Sequence, residues 1–199
     1  MPSGTGLVDA YEAGDLRKRS TILDYYAVGD SLYKLNLISK NVDRNLSPFN
    51  IKKYDDFTES DNGESDDNFF LLRLADIYLM FAEAENEINN GPTSDAYEYL
   101  NKIRRRAFGK NIYSPSAIDY KNLAYKDFLS KVYHERRLEL AYEGHRFFDL
   151  IRRPEIALQI LKAQGKINVT KDRLLLPIPQ YVMNEMNAKS KVFTQNSGY

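Results

Sequence analysis

HERRLELAYEGHRFFDLIRR, residues 134–153, combines five arginines, four acids and both histidines of the chain with large apolar side chains. A helix on a protein surface usually keeps its charged residues on one face, and an apolar core usually excludes them. This segment follows neither pattern. It is therefore a catalytic site, a binding surface or a charged piece of scaffold, and the chemistry of its residues distinguishes these possibilities.

The two histidines do not form a metal site. His134 followed by Glu135 is the beginning of the zinc-protease motif, but that motif needs a second histidine four residues later, where this chain has Leu138. His134 and His145 are about 16 Å apart along an unbroken helix, which is too far for one ion. We therefore predict no metal and no other cofactor for this segment.

The four acids also do not suggest an enzyme. A glycosidase needs one carboxyl group with a raised pKa to act as a general acid. Each acid here has arginines within a few residues along the chain, and a neighbouring arginine lowers the pKa of a carboxyl group. The candidate acids are Glu135, Glu139, Glu143 and Asp149. With no glycine-rich phosphate loop and no GxSxG motif, the chain is predicted not to be an enzyme.

A structural role explains the charges better. Glu139 lies one helical turn from Arg136, and Arg146 lies three residues before Asp149. Ion pairs of this kind, at the contact between packed helices, favour one way of docking more than they add net stability, because desolvation offsets their attraction. The segment is predicted to be a charged scaffold.

The remaining chain predicts a mainly α fold with tetratricopeptide-like helix pairs, a short β-hairpin and long loops. Residues 21–37 predict two strands around Gly29 and Asp30. Residues 38–54 are predicted to be loop. The acidic stretch 55–67 lacks the calcium-loop spacing and is predicted to be a solvated loop.

Residues 69–109 predict an antiparallel helix pair. The first helix is predicted to be apolar on two faces, one with Leu74, Ile77, Phe81, Ala84 and Ile88, the other with Leu72, Ala75, Leu79 and Ala82. The second helix follows a cap at Thr93, Ser94 or Asp95, buries Ala96, Leu100, Ile103 and Ala107, and ends at Gly109.

The C-terminal third is predicted to contain several shorter helices. One helical stretch runs to Gly144, a short helix follows it and ends at Pro154, and residues 155–163 form another. The prolines of LLLPIPQ exclude helix and inner strand, and the tail from Met186 is predicted to be irregular.

Composition limits the possible functions. Lys plus Arg equals Asp plus Glu, at 28 each, so the net charge does not indicate nucleic acid as a partner. No apolar run reaches the ~20 residues of a membrane helix, and the first residues are not a secretory signal. The chain contains 15 tyrosines and no tryptophan, which suits either sugar stacking or packing between helices.

Several segments, in order, resemble the SusD/RagB family of glycan-binding outer-membrane lipoproteins. YEAGDLRKRSTI resembles the acid-Pro-Arg stretch of the family, with Leu16 in place of proline. LLRLADIYLMFAEAENE with AYEYLNKIRRRA resembles its helix pair, with Asp76 for glutamate. LLLPIPQ and QNSGY resemble its closing segment, with Ser197 where proline is common. The residues that we assign to the structural signature are Arg73, Glu83, Arg136, Glu139, Gly144, Arg146 and Asp149.

The resemblance implies a function and a location. Residues 1–199 would be the C-terminal portion of a surface-exposed lipoprotein, held in the outer membrane by a lipid on an N-terminal cysteine that this chain does not contain. Such a protein binds oligosaccharides or polysaccharides, passes them to a SusC-like TonB-dependent transporter, and is not an enzyme. The candidate sugar contacts are Tyr25, Tyr33 and Tyr113, chosen for aromatic character in predicted loops or hairpins.

A second interpretation remains open. Helix pairs of this type also form adaptors that hold a protein partner in a groove, without sugar binding. The PIP segment and the long tail favour the glycan-binding interpretation, since a simple helical repeat needs neither. If an N-terminal part is missing, the face of Leu72, Ala75 and Leu79 is predicted to be partly uncovered and to favour self-association.

Overall fold

The computed structural model describes residues 6–23, 25–28, 31–34, 50–54, 68–163, 165–189 and 192–199. In these residues the protein is mainly helical. The helices are α1 (Leu7–Ala10), α2 (Arg17–Thr21), α3 (Leu74–Ile88), α4 (Ser94–Ala107), α5 (Tyr125–Glu139), α6 (His145–Ile151), α7 (Pro154–Ala163) and α8 (Gln180–Ala188). The strands are β1 (Ile22–Leu23), β2 (Tyr25–Val28), β3 (Ser31–Lys34) and β4 (Asn50–Ile51). None of the described helices is long and apolar enough to cross a membrane.

The predicted β-hairpin is confirmed. β2 and β3 are antiparallel, with Tyr25 opposite Lys34 and Val28 opposite Ser31. Gly29 and Asp30, which we predicted to form the turn, lie outside the described residues, as does the acidic stretch 55–67. β1 and β4 form a separate two-stranded antiparallel sheet. The prediction that residues 38–54 are loop was therefore wrong for Asn50–Ile51.

Helices α3, α4 and α5 enclose the main apolar core, within a compact unit formed by residues 6–145. Alanines of α3 and α4 bring the two helices close together, and Phe128 and Val132 of α5 close the core. All four residues predicted for the inner stripe of α4 are buried. Thr93 is the cap of α4, because its hydroxyl accepts a hydrogen bond of 3.1 Å from the Ala96 N–H.

One prediction for α3 was wrong. The helix begins at Leu74, and only one of its two apolar faces is buried. Ala75 and Leu79 lie in the core, whereas Leu74, Ile77 and Ile88 are exposed. Two polar residues of α3 are also buried with partners: Asp76 is bound by Arg136, and Asn86 donates to the Tyr125 carbonyl. The uncovered face is therefore not the one that we predicted.

Residues 146–199 form a second compact unit. α6 ends at Ile151, and Pro154 is the first residue of α7. The N–H of the first helical residue has no partner within its helix, so the missing N–H of proline costs no helical hydrogen bond there. α8, which includes Met186, was not predicted, because the tail from Met186 was expected to be irregular.

The PIP segment and the C-terminal tail bind each other through side chains. The Gln195 carboxamide accepts a hydrogen bond of 2.7 Å from the Ile178 N–H and donates one of 2.8 Å to the Ile178 carbonyl. Asn196 donates to the Leu176 carbonyl, and the Tyr199 hydroxyl donates to the Leu175 carbonyl. Backbone groups that the prolines leave without a strand partner are satisfied in this way.

Candidate functional site

Glu139, the last residue of α5, is bound by three arginines from other parts of the chain. Arg73 lies 2.6 Å from one carboxylate oxygen, and Arg17 lies 3.4 Å from the other. Arg106, in the last turn of α4, also donates to this carboxylate. The residue before α3 and the helices α2 and α4 are thereby attached to one buried side chain.

Glu143 extends this arrangement beyond the end of α5. Its two oxygens accept two hydrogen bonds of 2.8 Å from Arg73, and it also forms an ion pair with Lys53. The Lys53 ammonium donates further to the carbonyls of Glu139 and Ala141. Those carbonyls lie where the helix ends and would otherwise lack a partner.

Arg17 joins a second set of acids to the first. It lies 2.6 Å from Asp15 and 2.8 Å from Glu135, both of which are buried. Arg104 of α4 approaches the other oxygen of Glu135 at 3.2 Å and binds Glu12 at 2.7 Å. We call this set the arginine–carboxylate network, and its members are Glu12, Asp15, Arg17, Lys53, Arg73, Arg104, Arg106, Glu135, Glu139 and Glu143.

The cations of the network keep Glu139 and Glu143 charged. Burial would raise the pKa of Glu139, but Arg106, Arg73 and Arg17 outweigh burial and lower that pKa to about 2. Burial likewise opposes the pKa shift of Glu143, and Arg73 and Lys53 lower it. A carboxylate that stays ionised at neutral pH cannot donate a proton as a general acid. The geometry therefore favours the scaffold interpretation of residues 134–153.

The other predicted signature residues occupy structural positions. Arg136 forms a buried ion pair of 2.7 Å with Asp76 of α3, and Glu83 accepts a hydrogen bond from Tyr133. Gly144, immediately before α6, has a φ of +82°, a left-handed conformation that favours glycine. In the second unit, Arg146 is half-buried in α6, and Asp149 is buried and lies 3.1 Å from Arg152.

Several members of this network were not predicted from the sequence. We predicted pairing within one turn, between Glu139 and Arg136, whereas the partners described for Glu139 lie on other elements. Arg17, Lys53 and Arg104 were not among the candidate residues. Asp15 and Arg17 could have been found from the sequence, because they are the acid and the arginine of the stretch that resembles the acid-Pro-Arg stretch of the family.

The assignment of Tyr25, Tyr33 and Tyr113 as sugar contacts stays a prediction. Tyr25 and Tyr33 lie on β2 and β3, and their side chains are outside the described residues. Tyr113 follows α4 and is 77% exposed. Its ring centroid is 5.9 Å from the Lys102 ammonium, which also lies over the rings of Tyr99, at 4.9 Å, and Tyr78, at 5.8 Å. We call Tyr78, Tyr99 and Tyr113 the tyrosine cluster.

A family model described as the SusD family matches residues 9–199. The chain belongs to the SusD family. The match includes every member of the arginine–carboxylate network, and it confirms the family that the sequence resembles.

Curated relatives agree with this assignment. SusD-like protein P25 of Formosa agariphila is 40% identical over 157 residues, which cover 75% of this chain and 26% of the relative. SusD-like protein P2 of the same organism is 31% identical over 201 residues, covering 95% of this chain and 38% of the relative. The chain thus spans less than half the length of the curated SusD-like relatives that it matches.

Solved structures support the fold. A SusD homolog from Bacteroides thetaiotaomicron superposes with a TM-score of 0.76 at 26% identity, covering 94% of this chain and 41% of that protein. A SusD superfamily protein from Parabacteroides distasonis superposes with a TM-score of 0.68 at 25% identity, covering 97% and 41%. The predicted fold class, mainly α with tetratricopeptide-like helix pairs, is confirmed for this SusD-family chain.

Proposed function

We propose that the protein carrying this chain captures oligosaccharides or polysaccharides at the outer surface of the outer membrane and passes them to a SusC-like TonB-dependent transporter. The observation that carries this proposal is the SusD-family match over residues 9–199. In this proposal residues 1–199 are the C-terminal portion of a lipid-anchored protein. In the same proposal, this protein binds its glycan without catalysing a reaction, uses no cofactor and does not bind nucleic acid.

The tyrosine cluster supports a contribution of this chain to glycan binding. A tyrosine ring offers a flat apolar face to the C–H groups of a sugar, and its hydroxyl can exchange hydrogen bonds with sugar hydroxyls. Tyr113 presents such a face to solvent, while Tyr99 is held against Tyr78 at 4.9 Å and against Phe81 at 4.8 Å. A ring supported by neighbours needs little ordering when a ligand binds.

The test is calorimetric titration of the chain with a panel of oligosaccharides, repeated with Tyr113→Ala. We expect the variant to lose about tenfold in affinity for the bound glycan, which corresponds to about 1.4 kcal/mol. Tyr181→Ala is the matched control, because Tyr181 is also a well-exposed tyrosine but lies on α8. Equal affinities for both variants would remove the tyrosine cluster from the site, and no binding to any glycan would contradict a role of this chain in capture.

A second candidate function, the protein-binding adaptor, has one observation in its favour. Leu74, Ile77, Met80 and Ile88 expose a continuous apolar face of α3. Cell fractionation separates the two candidates. A surface glycan-binding protein is found with the outer membrane, whereas an adaptor is found in the soluble fraction.

A further inference from the structure

A cavity of about 340 Å³ lies beside the arginine–carboxylate network. Its volume is at the lower end of the range for small-molecule sites, so it suits a single sugar unit or a small anion. The lining residues are Leu16, Arg17, Arg19, Ser20, Thr21, Lys53, Arg106, Ala107 and Glu139. Four of them are cations and one is an acid, so the wall of the cavity is rich in positive charge.

Two of these cations are already saturated. The Arg17 guanidinium donates to Asp15 and Glu139 and forms an ion pair with Glu135. The Lys53 ammonium contacts Glu143 and donates to two backbone carbonyls. Their charges are balanced by these carboxylates and their donors are occupied, so neither is available to bind an anion.

The other two cations have donors to offer. Arg19 is exposed, and within the described structure its side chain has no hydrogen bond or ion pair. Arg106 donates a hydrogen bond to Glu139 through one of its nitrogens, and 52% of its side chain remains exposed. A guanidinium group has five N–H donors in a planar fork that matches a carboxylate or a sulfate.

The single acid of the cavity does not repel an anion strongly. Glu139 is bound by Arg17, Arg73 and Arg106, and the arginine–carboxylate network as a whole has five cations and five acids, so its charges balance and Arg19 is the additional cation in the lining of the cavity. Arg73 stands outside the lining of the cavity, and it is shared between Glu139 and Glu143. Charges at such short distances interact more strongly when they are partly excluded from water than they would in bulk water.

We propose that this cavity binds the carboxylate or sulfate group of an acidic sugar, with Arg19 and Arg106 as its hydrogen-bond donors. The proposal rests on the proposed function for the source of the anion, and it narrows the ligand class to charged glycans. The cavity and the tyrosine cluster have no residue in common. They are therefore two candidate contacts for one glycan chain, and each can be tested independently.

The experiment uses calorimetric titration with three probes: a galacturonic acid trisaccharide, the same trisaccharide as its methyl ester, and sodium sulfate. The ester keeps the sugar rings and removes the charge. We expect the charged trisaccharide to bind at least tenfold more tightly than the ester at low salt, and the difference to shrink as salt is added. Sodium sulfate is expected to bind more weakly than the charged trisaccharide, because it lacks the ring contacts.

Arg19→Ala is the informative variant, because the side chain of Arg19 forms no hydrogen bond or ion pair among the described residues, and the melting temperature is expected not to change. It is expected to reduce the affinity for the charged trisaccharide about tenfold and to leave the ester unaffected. Lys18→Ala is the matched control, an adjacent exposed cation that does not line the cavity, and it should behave like the unmodified chain.

Several outcomes would overturn the inference. Equal affinity for the acid and the ester, or equal effects of the two variants, would show that charge is not read in this cavity. Sulfate binding as tightly as the charged trisaccharide would assign the cavity to free anions. Tight binding of the ester alone overturns this inference and leaves the proposed function standing, whereas failure of every saccharide contradicts both.

Discussion

At the scale of single residues, Glu139 illustrates how much can depend on one side chain. Its carboxylate is 5% exposed and holds Arg17, Arg73 and Arg106 together. Glu139→Gln removes the charge and leaves these arginines with less compensation in a buried setting. Breaking a buried ion pair in this way costs about 3–5 kcal/mol. We expect the free energy of unfolding, measured by urea titration, to fall by at least about 3 kcal/mol.

The control for this prediction is Glu98→Gln. Glu98 also binds an arginine, Arg105, but its side chain is 41% exposed, and Arg105 keeps a second partner in Asp119 at 2.6 Å. An exposed pair contributes about 0–1 kcal/mol. Similar losses for the two variants would mean that the network is no more important than a surface ion pair.

The same residue predicts how stability changes with pH. The pKa of Glu139 falls from its ordinary value of 4.5 to about 2 on folding. Its contribution to stability is therefore complete above about pH 4.5 and is lost as the pH falls toward 2. Glu143, whose pKa is also lowered, adds to the loss in the same direction. We expect the melting temperature to drop steeply between about pH 4.5 and pH 2.

Glu139→Gln tests the origin of that drop. The variant has no carboxyl group to protonate at position 139, so its melting temperature is expected to depend less on pH over this range. Parallel curves for the variant and the unmodified chain would assign the acid sensitivity to other groups. His134, whose pKa is lowered by burial, acts at higher pH, because its penalty begins as the pH falls below 6.5.

Residue chemistry revealed the role of the charged segment but not its partners. The arginines near every acid favoured ion pairing as the explanation for the segment. Partners four residues apart can be read from a sequence, since helical geometry brings them together. Glu139 pairs with Arg17, 122 residues away, and that contact depends on the packing of several elements.

At the scale of elements, the apolar face of α3 predicts self-association of the chain. Leu74, Ile77 and Ile88 are exposed at 61%, 40% and 77%. Apolar residues in a continuous stripe favour contact with a second surface. We expect sedimentation velocity to show a mass that grows with concentration, and Leu74→Lys combined with Ile77→Lys to keep the chain monomeric.

Ile167→Lys is the control for this prediction. Ile167 is 73% exposed and lies in a turn after α7. The substitution therefore removes a similar exposed apolar side chain and leaves α3 unchanged. If both proteins lose association equally, the contact is a general effect of added charge. If the unmodified chain stays monomeric at every concentration, the α3 face does not bind a second copy.

Helices were predictable here where periodicity was clear, and their buried faces were less so. The stripe of α4 matched its prediction because small and large apolar residues alternate on one face only. α3 has apolar residues on two faces, and the buried one packs Ala75, Leu79 and Ala82 against α4 and α5, a contact between elements that periodicity within one helix does not reveal. α8 was missed because its polar residues and the preceding prolines hid a short helix.

At the scale of the whole molecule, the SusD-family assignment predicts where the native protein is found. Cells can be fractionated and treated with protease, and the C-terminal peptide of residues 192–199, VFTQNSGY, followed by mass spectrometry. We expect the peptide in the outer membrane fraction, on a lipidated chain that is accessible from outside. Recovery from the soluble fraction would favour the adaptor.

The arginine–carboxylate network also has a consequence for how the chain folds. Glu139 meets partners that are 122, 66 and 33 residues away in sequence. A chain that has docked only some of these segments has desolvated a charge without all of its counter-ions, which is unfavourable. Partly assembled states are therefore penalised, and the network makes folding of this unit closer to all-or-none. Because contacts between distant segments form slowly, assembly of the network should set the pace of folding.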